Sequence, residues 1–235
     1  MRNLAEKIQA FDEQSDVISY INRLFSFEGI KVISFLNAHA CNLSAKSPCF
    51  YNALDNSDLL LRDGIGAKIL LSSFGLKAGI NTNGTDLIPK IIESNPNATY
   101  AFIGTQEPYI STAYQNYKEA GFKIIFYADG FQDFECYLRK VELEKPDIIV
   151  LGMGMPRQEA FSLFLKDNYQ GSLSVINGGA IFDFMAGRFS RAPKFFRMLN
   201  IEWFYRLLAE PVRLFKRYVI GIPVFFVRLM YAKCK

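Results

Sequence analysis

Three short stretches put polar groups and glycine where a packed core would want neither. In "LLLRDGIGAK" an apolar run ends at Asp63, with Gly64 and Gly66 beside it, so a carboxylate stands on a tight turn at what reads as a strand end. That suits a general base, which must come within hydrogen-bond reach of the hydroxyl it deprotonates. It equally suits an Asp that only closes its own turn on nearby backbone, and the residues leave both readings open. In "LGMGMPRQEAF" a strand runs into a glycine turn at Gly152 and Gly154, then a proline suited to a first helical turn, then Gln158 and Glu159. The Gln158 amide suits a hydrogen bond to a sugar or base, and the Glu159 charge suits a helix start. In "NGGAIFDFMAGRFSRAP" Gly178 and Gly179 follow another strand and bare the backbone where a phosphate could sit.

Other combinations carry less. "GMGMPR" begins like a dinucleotide fingerprint, but Arg157 occupies the third glycine position and no acidic strand end follows about 20 residues on. Tyr114 and Lys118 form a Y-x-x-x-K pair with no glycine fingerprint near the start to support an oxidoreductase. His39, the one histidine, follows a strand and reads either as a structural imidazole or as a neighbour of a strand-end site. No D-x-D pair occurs, so a transferase of nucleotide sugars built on this chain would stabilise the leaving phosphates with protein groups rather than a bound metal. No cofactor is expected. The four cysteines show neither zinc-ligand nor disulfide spacing and fit a reducing compartment.

The elements that must position these residues alternate. Apolar, β-rich runs stand at "IKVISFLNA", "ATYAFIGT", "FKIIFYADG", "PDIIVLGMG" and "LSVINGGA", with helix-compatible stretches such as "PYISTAYQNYKEA" between them. Continuous apolar strands separated by helices predict a Rossmann-like α/β fold, a largely parallel sheet covered on both faces. Ligands of such sheets bind at the carboxyl ends of strands, where glycines such as Gly104 and Gly152 let backbone approach phosphate, so a nucleotide is the first ligand to consider. A break near residue 95, at "ESNPNAT", is weakly marked.

Half of the 235 residues are hydrophobic, enough for a large core and against disorder. The charge is segregated: ten Lys and Arg against two Glu fall in residues 191–235, which leaves 17 basic and 21 acidic residues of the chain's 27 and 23 for the body. Phe, Trp and Tyr are threaded between those basic residues. The longest uncharged run there, "YVIGIPVFFV", has ten residues, against the roughly 20 a membrane-spanning helix needs. An α/β body over 1–194 with a basic amphipathic helical appendage over 195–235, lying in an anionic membrane interface, is the expectation. A helix packed on the protein's own core is the alternative. Stacking on nucleic acid would look similar, but no RNA-binding motif accompanies it. The charged N-terminus lacks the apolar segment of a signal peptide.

Taken together and in this order, "DGIG", "NGTDLI", "LGMGMPRQE", "NGGAIFDFMAG", "RAP" and "IEWFYRLLAEPVRLFKRY" resemble the WecG/TagA/CpsF family of bacterial glycosyltransferases, over roughly residues 30–220. The resemblance implies metal-independent, inverting transfer of N-acetylmannosamine or a related sugar from a UDP donor to an undecaprenyl diphosphate-linked saccharide, by a peripheral protein at the cytoplasmic face of the membrane. Association with a further copy of the chain is compatible with it. It makes Asp63 the base on the acceptor hydroxyl. Asn37, Asn81, Asp86 and the glycine loops with Gln158 and Glu159 would line the donor pocket. Arg191, Arg206, Arg213, Lys216 and Arg217 would meet the lipid diphosphate. Two positions depart from the family pattern: Phe35 stands for a threonine and Asn81 for an arginine. Those departures support the other reading, a nucleotide-binding scaffold that has lost catalysis.

Overall fold

The structure, a computed structural model, describes residues 1–193, 196 and 202–233, apart from the side chains of Arg206, Ala209 and Arg213. Six parallel strands form one sheet in the order β2-β1-β6-β5-β3-β4. They run β1 Ile30–Leu36, β2 Leu59–Arg62, β3 Thr99–Gly104, β4 Lys123–Ala128, β5 Ile148–Gly152 and β6 Leu173–Asn177. Every residue of β5 and of β6 is buried, as a strand covered on both faces requires. At the edge, β4 alternates, and Ile125 on it is exposed.

Side chains alternate between two covered faces. Ile148 and Val150 enter a cluster with Val17, Ile21, Ile88 and Phe102, while Ile149 and Leu151 enter another with Tyr137, Phe161 and Leu165. The weakly marked break near residue 95 does not interrupt the sheet: β3, which follows it, pairs with both β4 and β5.

Local chemistry starts the helices that flank the strand ends. Asn37 caps α3 (Ala38–Ser44) by accepting from the Ala40 N–H at 3.0 Å, Ser47 caps α4 (Pro48–Asp55), and Asn83 caps α6 (Gly84–Ser94). Further along stand α5 (Gly64–Ser73), α9 (Arg157–Asn168) and α10 (Ile181–Met185).

The C-terminal stretch is helical over Glu202–Ala209 and Pro211–Phe215, makes one wider π-type turn at Lys216–Ile220, and ends in a helix over Gly221–Lys233. That last helix packs on α3: Phe225 and Leu229 are buried in a third cluster with Leu4, Leu36, Cys41, Phe50 and Leu70. Asn42 donates to the Gly221 carbonyl at 2.6 Å, and Arg228 donates to the Asn42 carbonyl at 2.6 Å. One face of the segment is therefore core, as the packed-helix alternative requires, while its other face carries Phe226, Val227, Met230 and Tyr231 exposed. Among the described residues no helix is long and apolar enough to cross a membrane.

Candidate active site

A cavity of about 760 Å³ opens at the carboxyl ends of the strands, lined by Asn37 after β1, Asp63 after β2, Thr105 after β3, Gly152 and Gly154 at β5, and Asn177 to Gly179 at β6. Strand ends at a topological switch are where open parallel sheets take ligands. The facing wall carries Arg188 and Arg191 from the end of the body and Trp203, Arg217, Tyr218 and Phe226 from the C-terminal segment.

The Asp63 carboxylate does not close its own turn. Asp63 stands just before α5 without capping it, and its Oδ2 instead accepts from Asn37 Nδ2 at 2.9 Å. The turn is held by other groups: the Asp63 N–H donates to the Leu36 carbonyl, and the N–H of Gly64, at φ +76°, donates to Asn81 Oδ1 at 2.8 Å. Asn37 is fixed in turn by its capping bond to α3, so the amide that holds Asp63 has one orientation. A carboxylate presented to a cavity and steered by a fixed amide has the placement a general base needs. Asn81, where the resemblance implies an arginine, thus shapes the Asp63 turn. Phe35 lies in the cavity floor with its ring against Gly84, where an added Cβ would stand 3.4 Å from it.

Among the described residues, three of those expected at the site stand outside the cavity lining: Gly104, Glu159 and Lys216. Gly104 is a packing glycine, since a Cβ there would stand 2.3 Å from the Gly152 backbone. Lys216 is exposed on the π-type turn, while its neighbour Arg217 faces inward. Glu159 is buried in the first turn of α9 and accepts from Gln158 Nε2 at 2.8 Å. Gly178 and Gly179 do not bare their backbone either. Gly178 N–H donates to the Leu151 carbonyl at 2.7 Å, and Gly179 N–H to Gln158 Oε1 at 2.9 Å. Gly178 has no room for a side chain, because a Cβ would lie 2.6 Å from Ile181.

Asp86 and Arg191, expected on different ligands, bind each other. Arg191 pairs with Asp86 at the start of α6 and, at 2.7 Å, with Glu202 of the C-terminal segment. The arginine clasps the C-terminal wall to the body, with two carboxylates on its charge. The side chains of Arg206 and Arg213 lie outside the described residues. Arg217 differs from Arg191: its Nε is buried with no hydrogen-bond partner among the described residues, at the edge of the cavity. Beside it lies His39, whose pKa is lowered to about 4 by burial first and by the Arg217 charge second, so the imidazole is neutral at any physiological pH.

Thr105, Asp183 and Arg188 line the cavity without having stood out in the sequence. Thr105 and Arg188 both donate to Asp183 Oδ1 at 3.0 Å, and Arg188 lies 4.2 Å from the Tyr109 ring centroid. Asp183 lies inside "NGGAIFDFMAG", where the paired glycines are the stronger signal. Thr105 offered no sequence signal, because its left-handed φ of 40° exists only in the folded loop.

Comparison with known proteins adds to this geometry. The profile of the "Glycosyl transferase WecG/TagA/CpsF family" matches residues 2–235. The chain belongs to this family. Among similar proteins is the N-acetylglucosaminyldiphosphoundecaprenol N-acetyl-beta-D-mannosaminyltransferase of Bacillus subtilis (strain 168). It is 29% identical over 217 residues, covering 88% of this chain and 82% of the relative. A protein of the same name from Staphylococcus aureus (strain MRSA252) is 28% identical over 209 residues, 85% of this chain and 79% of its own. The chain is a glycosyltransferase by family, and its cavity lies at the strand ends, where open parallel sheets take ligands.

Proposed function

We propose that this glycosyltransferase transfers N-acetylmannosamine or a close relative from a UDP donor to an undecaprenyl diphosphate-linked saccharide, with inversion at the anomeric carbon. Two relatives whose names join N-acetyl-beta-D-mannosaminyl transfer to an N-acetylglucosaminyldiphosphoundecaprenol acceptor support the substrate class. The observation that carries the mechanism is Asp63, whose carboxylate lines the cavity and is held through one oxygen by Asn37. In this reading Asp63 takes the proton from the acceptor hydroxyl as that oxygen bonds to the anomeric carbon, and the bond from that carbon to the UDP oxygen breaks on the opposite face. Asn37, Asn81 and the walls at Gly152–Gly154 and Gly178–Gly179 frame the donor. Arg217, its Nε unpartnered, serves the acceptor's diphosphate, and charge-assisted bonds to that group would satisfy it.

The acceptor's polyprenyl chain stays in a bilayer, so the cavity has to meet a membrane surface. Ten of the fourteen large apolar side chains exposed among the described residues lie between Phe204 and Tyr231, on the segment that walls the cavity. That distribution supports peripheral docking of residues 195–235 on the cytoplasmic leaflet, with residues 1–194 carrying the donor side.

The test is release of UDP from UDP-N-acetylmannosamine by purified protein, with and without a short-chain diphosphate-linked N-acetylglucosamine acceptor. Acceptor-dependent release is the expected result. Binding of UDP without turnover on any acceptor would leave the scaffold reading standing instead.

A further inference from the structure

Glu159 is the least economical residue in the body of the molecule. Its side chain is 1% exposed, its Oε1 accepts one hydrogen bond, and its Oε2 is buried without a partner among the described residues. Burial pushes its carboxyl up to about 7. Other buried polar groups of the body are paired by contrast. Ser57 donates to Ser34 at 2.7 Å, Asn177 donates to Ser34 at 2.9 Å, and Ser162 donates to Asn177 at 2.8 Å, all of them buried. A half-partnered carboxyl beside a fully paired network costs stability, so its presence has to be explained by what it holds.

It holds Gln158. A side-chain amide can present either end in either direction, and a carboxylate oxygen facing one end decides the matter, because only the NH2 group can donate to it. With Nε2 turned to Glu159 at 2.8 Å, Oε1 is turned to the Gly179 N–H at 2.9 Å. Gly179 sits at φ +63°, a left-handed conformation within the glycine wall of the cavity, and α10 with Asp183 follows directly.

We propose that Glu159 is a positioning residue for the donor cavity: it fixes the Gln158 amide so that the Gln158 carbonyl pins Gly179 and the glycine wall keeps the shape against which the donor lies. The assignment rests on the donor-cavity reading above and replaces a direct ligand role for Glu159, which does not line the cavity. Without the carboxylate Gln158 Nε2 loses its acceptor, and the amide keeps only its bond to the Gly179 N–H, so it is free to swing away from Gly179.

Two substitutions separate this from a packing role. Glu159→Met keeps the volume but removes the acceptor, and Glu159→Gln keeps an acceptor oxygen for Gln158. The first readout needs no ligand: hydrogen exchange at the Gly179 amide, which should be protected in the intact protein, exposed in Glu159→Met and protected again in Glu159→Gln. The second is UDP affinity by calorimetry, which should fall about tenfold in Glu159→Met, the size expected when a hydrogen bond that orients a binding wall is lost, and recover in Glu159→Gln. Glu159→Met should fold, because it removes a buried, half-partnered carboxyl. Equal Gly179 protection in all three proteins overturns the assignment, as does wild-type UDP affinity in a Glu159→Met protein whose Gly179 amide is exposed. Neither readout depends on transfer or on Asp63, so failure of the proposed reaction would show in the turnover assay and not here.

Discussion

At the scale of single residues, the site separates groups that touch substrate from groups that hold them. Asp63 belongs to the first kind in the proposed mechanism. Asp63→Asn keeps the shape and the bond to Asn37 with its amide turned, but not the base, so transfer should fall about 100- to 10,000-fold with UDP affinity retained. Turnover within a few-fold of wild type by a folded Asp63→Asn protein would remove Asp63 from the chemistry. Glu159 makes a prediction about stability. Its carboxyl rises from 4.5 to about 7 on folding, so between those pH values the unfolded chain gives up a proton that the folded chain keeps. Stability from this group is therefore greatest below pH 4.5, declines as pH rises through that window, and stays at its lowest above 7. At about 1.4 kcal/mol per unit the full penalty is of the order of 3 kcal/mol. Glu159→Gln should melt higher than wild type at pH 8 and nearly together with it at pH 4. A melting difference that does not change between those two pH values would contradict the linkage.

At the scale of elements, the C-terminal segment has two faces, one packed on the core and one exposed, to which the proposal gives the membrane. Phe225 and Leu229 belong to the same buried cluster as α3 and the N-terminal helix Arg2–Lys7. Phe225→Ala should cost about 3 kcal/mol or more by opening a cavity in that cluster, seen as a lower denaturant midpoint. A purely appended, membrane-only helix would show almost no change. The clasp at Arg191 is separable from packing. Arg191→Gln removes the cation between Asp86 and Glu202 and leaves two carboxylates facing each other. Faster proteolysis after residue 188 and a raised KM for the donor are the expected signs that the wall has loosened, whereas a change in acceptor KM alone would mean that Arg191 serves the lipid diphosphate instead.

For the molecule as a whole, the proposed membrane docking and the proposed catalysis would use neighbouring but different side chains. Lys216 and Lys233 are exposed on the C-terminal segment, while Arg217 faces the cavity. Replacing Lys216 and Lys233 by Gln should weaken binding to anionic liposomes by about 1 kcal/mol per charge, more at low salt. Arg217→Gln should depress transfer to the lipid-linked acceptor while leaving cosedimentation close to wild type. If Arg217→Gln lost liposome binding and kept transfer to a short-chain soluble acceptor, the two assignments would have to be exchanged. The proposed stabilisation of departing UDP by protein groups also predicts that EDTA leaves most activity intact, and strict dependence on added magnesium or manganese would refute it.

The sequence by itself determined the α/β class and the strands at "IKVISFLNA", "ATYAFIGT", "PDIIVLGMG" and "LSVINGGA", because burial on both faces demands continuous apolar runs, and the half-exposed edge strand at "FKIIFYADG" through its β-rich residues. It also carried the family, through short motifs in a fixed order. What it could not supply was the partner of each polar group. Asp63 as a turn-former and Asp63 as a carboxylate steered by Asn37 have the same local spacing. Only the parallel pairing of β1 with β2 brings positions 37 and 63 to one edge and chooses between them. The glycines at 178 and 179 read as bare backbone until Leu151 and Gln158, distant in the chain, occupied their N–H groups. The spacing of Arg191 shows a cation but not its partner; that Asp86, 105 positions away, stands against it is a fact of the folded chain. Periodicity and composition report what each residue prefers over a few neighbours, whereas hydrogen bonds and ion pairs form between whichever groups the crossovers bring within about 3 Å, and that choice belongs to the tertiary structure.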